Sequence, residues 1–487
     1  MRTAVLRKTY LQYFTDREHK MFSSDSLVPA NDPTLLFTSA GMTQFKDYFL
    51  GKNKSAKRAT SCQKCLRTGD LERVGKTAYH HTFFEMLGNF SFGDYFKEEA
   101  IVWAWEFVTI VMNIKPADLW VTVYTDDDEA YGIWNKRIGV PPDRITRLGA
   151  NDNFWPQNAL AEGPNGPCGP CSEIYFDYGP SFGDGNPGNN SKRFVEFWNL
   201  VFTQFNRIGV DQTQPLPAKN IDTGMGLERM ASILQGKQSN YDIDILRPIV
   251  DEAGRLIRSE DRFKLNAITD HVRALSFCIA DGVYPSNEDR GYVVRKILRR
   301  AVWFGFQSGR KNPFLHELVD LVVDLMKDQY AELATKQDTI KKVILSEEER
   351  FLKSIDKGRD VLYEYIGSAR NEKRDRLNGE EVFRLYDTYG FPLELTETIA
   401  SDKGIGIDTD GFDLLLERQK EQSRQSSKFE GSVFVTGDLC LDEKTEFTGY
   451  ACMCGESSVS AVVKDDRPIE SYSGDEEIGL VLGQTPF

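Results

Sequence analysis

The sequence predicts an α+β protein in three zones: mixed strands and helices over residues 1–250, an all-helical zone over 251–430, and short strands over 431–487. Three observations carry this reading. In the first zone, β-branched and aromatic residues alternate in strand-like runs between Gly/Pro turns. In the second, apolar residues recur at helical spacing. In the third, short alternating runs return, separated by Gly, Asp and Ser.

In the first zone Leu119–Thr125 (LWVTVYT) and Arg193–Arg207 (RFVEFWNLVFTQFNR) read as strands. Between them, Glu162–Pro170 (EGPNGPCGP) is too rich in turn formers for a helix or a strand interior. Ser61–Phe96 suggests a hairpin with one face paved with rings and Arg67 at its start; His80 and His81, if on a strand, face opposite ways. Asp222–Arg229 (DTGMGLER) reads as a strand ending in two glycines and leading into an amphipathic helix (LERMASIL). Such a turn is a common structural cap, and it is also a place where a backbone and a helix N-terminus can approach an anion. The second zone predicts helices over Asn266–Ala280, Val293–Phe304, Leu315–Leu325 and Ile340–Tyr365. The polar run Glu417–Lys428 reads as a junction, and the last zone as a truncated β domain.

A chain of 487 residues accommodates two to four domains of typical size. Its net charge of −14 argues against bulk electrostatic binding of nucleic acid, while leaving room for a local basic stripe. Arg290–Arg300 (RGYVVRKILRR) is such a run, readable as a solvated helix face or as a set of phosphate contacts. Met1–Lys20 lacks the apolar core of an export signal, and Ala100–Ile114 is too short to span a bilayer, so the expectation is a cytoplasmic protein with no membrane partner. Two C-x-x-C pairs, Cys62/Cys65 and Cys168/Cys171, suit a four-thiolate zinc site in principle. They lie about a hundred residues apart, beyond the usual ribbon spacing, and buried or loop thiols are the alternative.

Six runs occur in order: FSSDSLVP from Phe22, DPTLLFTSAGMTQFK from Asp32, HHTFFEMLGNFSFGDYFK from His80, GPCGPCSEI from Gly166, DTGMGLER from Asp222 and LYDTYGFP from Leu385. Together they closely resemble the class II alanyl-tRNA synthetases, over nearly all of the chain. The resemblance implies a class II synthetase antiparallel β-sheet flanked by helices, an all-helical domain for the tRNA acceptor stem, and the start of a small β-barrel that precedes an editing domain. It implies an alanine–tRNA ligase using ATP and Mg2+, which forms alanyl-adenylate and pyrophosphate and passes alanine to the 3′ end of tRNA(Ala). Zinc is not expected in this stretch, because the family's zinc belongs to the editing domain.

By the same resemblance Arg67 bridges the alanine carboxylate and the α-phosphate, and Phe90 and Arg229 sandwich the adenine, whose edge the Met86 backbone reads. His81 and Glu85 stand near the phosphates. Asp222 takes the α-ammonium, Trp155 and Asn199 complete the polar cradle, and Val201 and Gly224 wall a methyl-sized pocket. Asn287 and Asp387 read the G3:U70 pair, with Arg290, Arg295, Arg299 and Arg300 on acceptor-stem phosphates. Two departures stand out. The run after Arg67 (RTGDLERVG) lacks the Gly-Gly-Lys of many relatives, leaving Arg73 or Lys76 to take over, and the stretch from Trp155 to Gly166 is longer. Tyr178 and Ser181 stand where some relatives place histidines after C-x-x-C, which counts further against zinc. Competing readings are a class II-like enzyme with a non-tRNA acceptor and a catalytically impaired homologue that binds tRNA only. The expectation is an editing-deficient, monomeric fragment.

Overall fold

Helix α1 (Thr3–Thr15) places Leu6, Tyr10, Tyr13 and Phe14 on one face, and these bury against the back of a sheet, with Tyr10 5.6 Å from Trp198. The computed structural model describes residues 1–29, 35–157, 159, 161, 165–210, 212–389, 391, 393–426, 446–447, 456–464, 467–469 and 479–485. The chain forms two compact units, Met1–Asp360 and Val361–Phe487.

The first unit is built on a nine-stranded sheet. Its strands are β1 (Lys20–Phe22), β2 (Arg58–Leu66), β3 (Phe83–Phe92), β4 (Leu119–Tyr124), β5 (Ile145–Leu148), β6 (Phe154–Trp155), β7 (Gly166–Asp177), β8 (Phe194–Gly209) and β9 (Gln212–Gly226). The spatial order is β1-β2-β3-β9-β8-β7-β4-β5, with β6 on β7. The six inner strands are antiparallel, while β1 joins β2 and β5 joins β4 in parallel. The expected strands at 119–125 and 193–207 are present as β4 and β8.

Two local expectations are corrected. The Gly/Pro-rich run up to Pro170 predicts no strand, yet β7 begins at Gly166. A register shift between Cys168 and Cys171 absorbs the prolines, and Gly169 lies so close to β8 that a Cβ there would stand 2.1 Å from the Phe202 carbonyl oxygen. His80 and His81 are not on a strand; they end the loop that leads into β3.

Helix α2 (Leu227–Leu234) follows β9 directly, as the glycines implied. Helix α3 (Arg262–Ala280) is buried without interruption from Leu265 to Ala280, so it runs through the core behind β3. Helix α4 (Asp289–Gln307) packs on α3, and α5 (Gln337–Asn371) begins in the first unit and ends in the second. In the second unit, α6 (Gly379–Asp387) carries a capping box at Asn378 and Glu381. The run expected as a junction is helical as far as Ser426, and its last residues lie outside the described ones. Of the final zone, short strands are described at Glu446–Phe447, Val459–Lys464, Arg467–Ile469, Gly479–Leu482 and Gln484–Thr485. Among the described residues no helix is long and apolar enough to cross a membrane.

Candidate active site

Strand alternation decides which side chains meet on the sheet's open face. On β3, Phe84 and Met86 are half-buried, whereas Phe83, Glu85 and Leu87 are fully enclosed on the other side. Across the sheet, Glu173 pairs with Asn199 and Asn199 with Gly224. One step along, Cys171 pairs with Val201, Val201 with Asp222, and Asp222 with Phe90. Of these rows, Glu173, Asn199, Gly224, Val201 and Asp222 floor a cavity of about 310 Å³. Arg67, His81, Met86, Trp155, Asn199, Val201, Asp222, Gly224 and Arg229 all line it, so these residues, far apart in sequence, converge on one cavity.

At one end stands Asp222, buried and without a hydrogen-bond or ion-pair partner among the described residues. Burial pushes its carboxyl up to about 7. A buried carboxylate with no counter-charge is costly unless a ligand supplies one. Beside it, Asn199 donates to Glu173 at 3.0 Å while its own carbonyl oxygen is buried with no partner. Val201 faces Asp222 across the ladder. A Cβ on Gly224 would come within 2.8 Å of the Met86 sulfur, so a larger residue there would displace that side chain.

Toward the middle, Arg67 donates from Nε to the Ser39 carbonyl at 3.0 Å and lies 5.0 Å over Phe84 and 5.7 Å over Trp155. Burial lowers its affinity for the proton, and no carboxylate among the described residues bonds it. Its fork is therefore open to an anion. Arg229 is held differently. Its Nη1 donates to the Glu196 carboxylate at 2.6 Å and to the Glu196 carbonyl at 2.7 Å, and its guanidinium lies 5.2 Å from the Tyr79 ring. Burial opposes the Arg229 charge, but Glu196 keeps its pKa above the ordinary value. Burial and the neighbouring Glu196 charge push the Glu173 carboxyl well above the usual range.

The polar wall behind the cavity is anchored on α3. His81 faces Asp270 at 3.3 Å and Asn240 at 3.1 Å. Against the effect of burial, hydrogen bonds from His271 and His81 hold the Asp270 carboxyl well below the usual carboxylate range. Glu228, another lining residue, pairs with the buried Arg273 at 2.7 Å, and Arg273 also donates to the Phe83 carbonyl at 2.6 Å.

Several expected positions fall elsewhere. Phe90 shares the open face but is wholly buried beneath the turn Gly41–Phe45, 4.5 Å from Phe45, and does not line the cavity. Phe84 is the β3 ring that does. Glu85 points to the opposite face, where Arg7 binds it at 3.0 and 2.8 Å and Tyr330 at 2.8 Å. Arg73 and Lys76 are off the lining, whereas Asp70, Tyr79 and His80 are on it. Sequence reasoning also missed Glu173, Tyr175, Glu196 and Glu228. The strand period pointed to Phe84, two residues before Met86; nothing local marked the carboxylates.

The basic run is neither a solvated face nor an open phosphate cradle. Arg299 binds Glu347 at 2.8 and 2.9 Å, Arg295 reaches the same carboxylate at 3.2 Å and also binds the Asn287 carbonyl oxygen, and Arg300 binds Glu72 at 3.0 Å. Arg290 donates to backbone carbonyls of Leu35 and Leu36. Asn287 is exposed in the first unit, and Asp387 is exposed at the end of α6 in the second.

Cys62 and Cys65 are buried on β2, and three-residue spacing on a strand sends them to opposite faces. Among the described residues, no group of three or more His, Cys, Asp or Glu is placed to hold a metal ion.

A family model for class II (A) tRNA synthetases matches residues 5–487. The alanine–tRNA ligases of Saccharophagus degradans and Nitrosomonas europaea are each 47% identical to the chain over 100% of its length, covering 57% and 56% of their own. The alanine–tRNA ligase of Thermus thermophilus is 46% identical over 100% of the chain and 58% of its own length. The chain thus spans a little over half the length of these relatives.

Proposed function

Because the chain belongs to the class II (A) tRNA synthetases, we propose that its cavity activates alanine with ATP for transfer to tRNA. The observation that carries this reading is the pairing, in one cavity, of an unpartnered buried carboxylate at Asp222 with an open guanidinium at Arg67. An amino acid presents the complementary pair, an ammonium and a carboxylate. Asp222 takes the ammonium, with the Asn199 carbonyl as a further acceptor. Arg67 takes the carboxylate and the α-phosphate as negative charge builds between them, and arginine's fork suits both at once.

The carboxylate oxygen attacks the α-phosphorus, and pyrophosphate leaves with the bridging electrons. In this reading Phe84, which lines the cavity where Phe90 does not, holds the adenine together with Arg229. Glu173 and Glu196, whose mutual repulsion a hard divalent cation would relieve, are the residues that would hold the family's Mg2+. When bound, it supplies charge neutralisation on the phosphates. Transfer to the tRNA 3′ end completes the reaction. Asn287 and Asp387 are proposed to read the G3:U70 pair. Arg295 engages the Asn287 carbonyl oxygen, leaving the amide NH2 to donate in the RNA minor groove.

Val201 and Gly224 leave space for a methyl. Such a pocket excludes larger side chains by overlap but discriminates weakly against glycine, since one methyl is worth about 1–3 kcal/mol. Serine, larger by one hydroxyl, is rejected weakly too. Alanine-dependent ATP–pyrophosphate exchange tests the proposal, with glycine and serine alongside. Strong exchange with alanine and weaker exchange with the other two is expected; no exchange with any of the three overturns it.

A further inference from the structure

The first turn of α4 is tied to the cavity wall through residues 35–41. Helix α4 opens after a turn in which the Ser286 N–H donates to the Gly291 carbonyl at 3.0 Å. The turn is tight: a Cβ on Gly291 would stand 2.1 Å from Ser286 Oγ and 2.5 Å from the Tyr284 carbonyl oxygen. That closure fixes the direction in which Arg290 leaves the helix. Its Nε then donates to the Leu36 carbonyl, and its Nη2 to the Leu35 carbonyl at 3.2 Å. Further along the same stretch, Thr38 is pinned on both sides, its N–H to the Leu27 carbonyl at 2.8 Å and its carbonyl to the Leu66 N–H at 2.9 Å. The next carbonyl, that of Ser39, accepts from Arg67 Nε at 3.0 Å. Ala40 is part of the cavity wall, and the Gly41 N–H meets the Met86 sulfur at 3.2 Å.

We infer that Arg290 is a positioning residue for Arg67. It grips the near end of the 35–41 stretch, and the far end of that stretch orients the Arg67 guanidinium. This rests on the alanine-activating reading of the cavity and gives Arg290 work other than phosphate contact. A two-carbonyl grip needs the planar fork of arginine, which lysine does not supply. Losing it releases the Leu35 and Leu36 carbonyls, and small displacements of a positioned group can cost up to ~10²-fold in rate.

The test is alanine-dependent ATP–pyrophosphate exchange without RNA, on the full chain, for the wild type, Arg290→Ala and Arg290→Lys. The expected result is a kcat lowered roughly 10-fold or more in both variants, within the range misplacement produces. The KM for alanine should rise less than kcat falls, because Asp222, Val201 and Gly224, on strands that Arg290 does not touch, still hold the ammonium and the methyl. Added guanidinium ion should restore part of the Arg290→Ala rate, which a general loss of structure would not allow. Arg290→Lys keeps the charge and the helix, so it remains informative if the alanine variant does not fold. Wild-type exchange rates in both variants, with only the KM for tRNA raised in aminoacylation, would make Arg290 an RNA contact and overturn the inference. Absence of exchange in the wild type itself would instead remove the reading on which it rests.

Discussion

In the cavity, Arg67 gives one hydrogen bond to a backbone carbonyl and Asp222 has no partner at all among the described residues. On α4, Arg295 and Arg299 close on Glu347, and Arg300 closes on Glu72. In sequence the second region is the more conspicuous, because its arginines are crowded together. In the folded chain the first has the unbalanced charge. A run of like charge satisfied by carboxylates from other elements offers little to a ligand, whereas an isolated buried charge without a partner is held ready for one.

Four outcomes would sharpen or break that contrast. The largest concerns Asp222→Ala, which should lower alanine-dependent exchange about 10³-fold, in keeping with the roughly 2–5 kcal/mol at stake in a buried charge pair. Because the carboxylate has no protein partner, the melting temperature should hold or rise; a large drop would mean that Asp222 is structural. Arg67→Lys should follow, at about 10²-fold in exchange rate, since a single lost donor at a developing charge costs that order. Near-normal exchange in this variant would show that the fork is not used. Next, Glu347→Gln should lower stability in urea unfolding by about 1.5–3 kcal/mol, the worth of hydrogen bonds to a charged group. It should also steepen the salt dependence of RNA binding, because Arg295 and Arg299 each lose a counter-charge. An unchanged urea midpoint would mean that the α4 arginines are not anchored as described.

The smallest effect is on pH. Burial raises the Asp222 carboxyl to about 7, so the folded chain holds this proton more tightly than the unfolded chain does. Its contribution therefore lowers stability as pH rises from the ordinary carboxylate range to about 7, and is flat beyond. Alanine binding needs the ionised form, so the KM for alanine should rise as pH falls below about 7. Asp222→Asn should make the stability slope between those limits shallower, and an unchanged slope would mean that Asp222 does not contribute to it.

Much of the scaffold was legible in sequence because it follows local periodicity. The alternation in Leu119–Thr125 and the helical spacing in Asn266–Ala280 are properties of consecutive residues, and both elements formed. The DTGMGLER turn was legible for the same reason. Legibility failed where a second element intervened. Phe84 and Phe90 are equivalent on an isolated strand, and only the turn Gly41–Phe45 roofs one and leaves the other at the cavity. Glu85 sits beside Met86 in sequence yet serves the far face, because successive strand residues point opposite ways. The Gly/Pro run before Cys171 became a strand because β8 offered a bulged register and Gly169 allowed the close approach.

By itself, then, the sequence determined most of the strands and helices and the residue types proposed to meet a carboxylate, an ammonium and a phosphate, since propensity and side-chain chemistry are local. Tertiary structure alone decided which charges are neutralised: Glu347 quiets the α4 arginines, Glu196 holds Arg229, and nothing described answers Asp222. Coulomb energy and desolvation depend on distance and burial in three dimensions, and neither quantity is carried by neighbours along the chain.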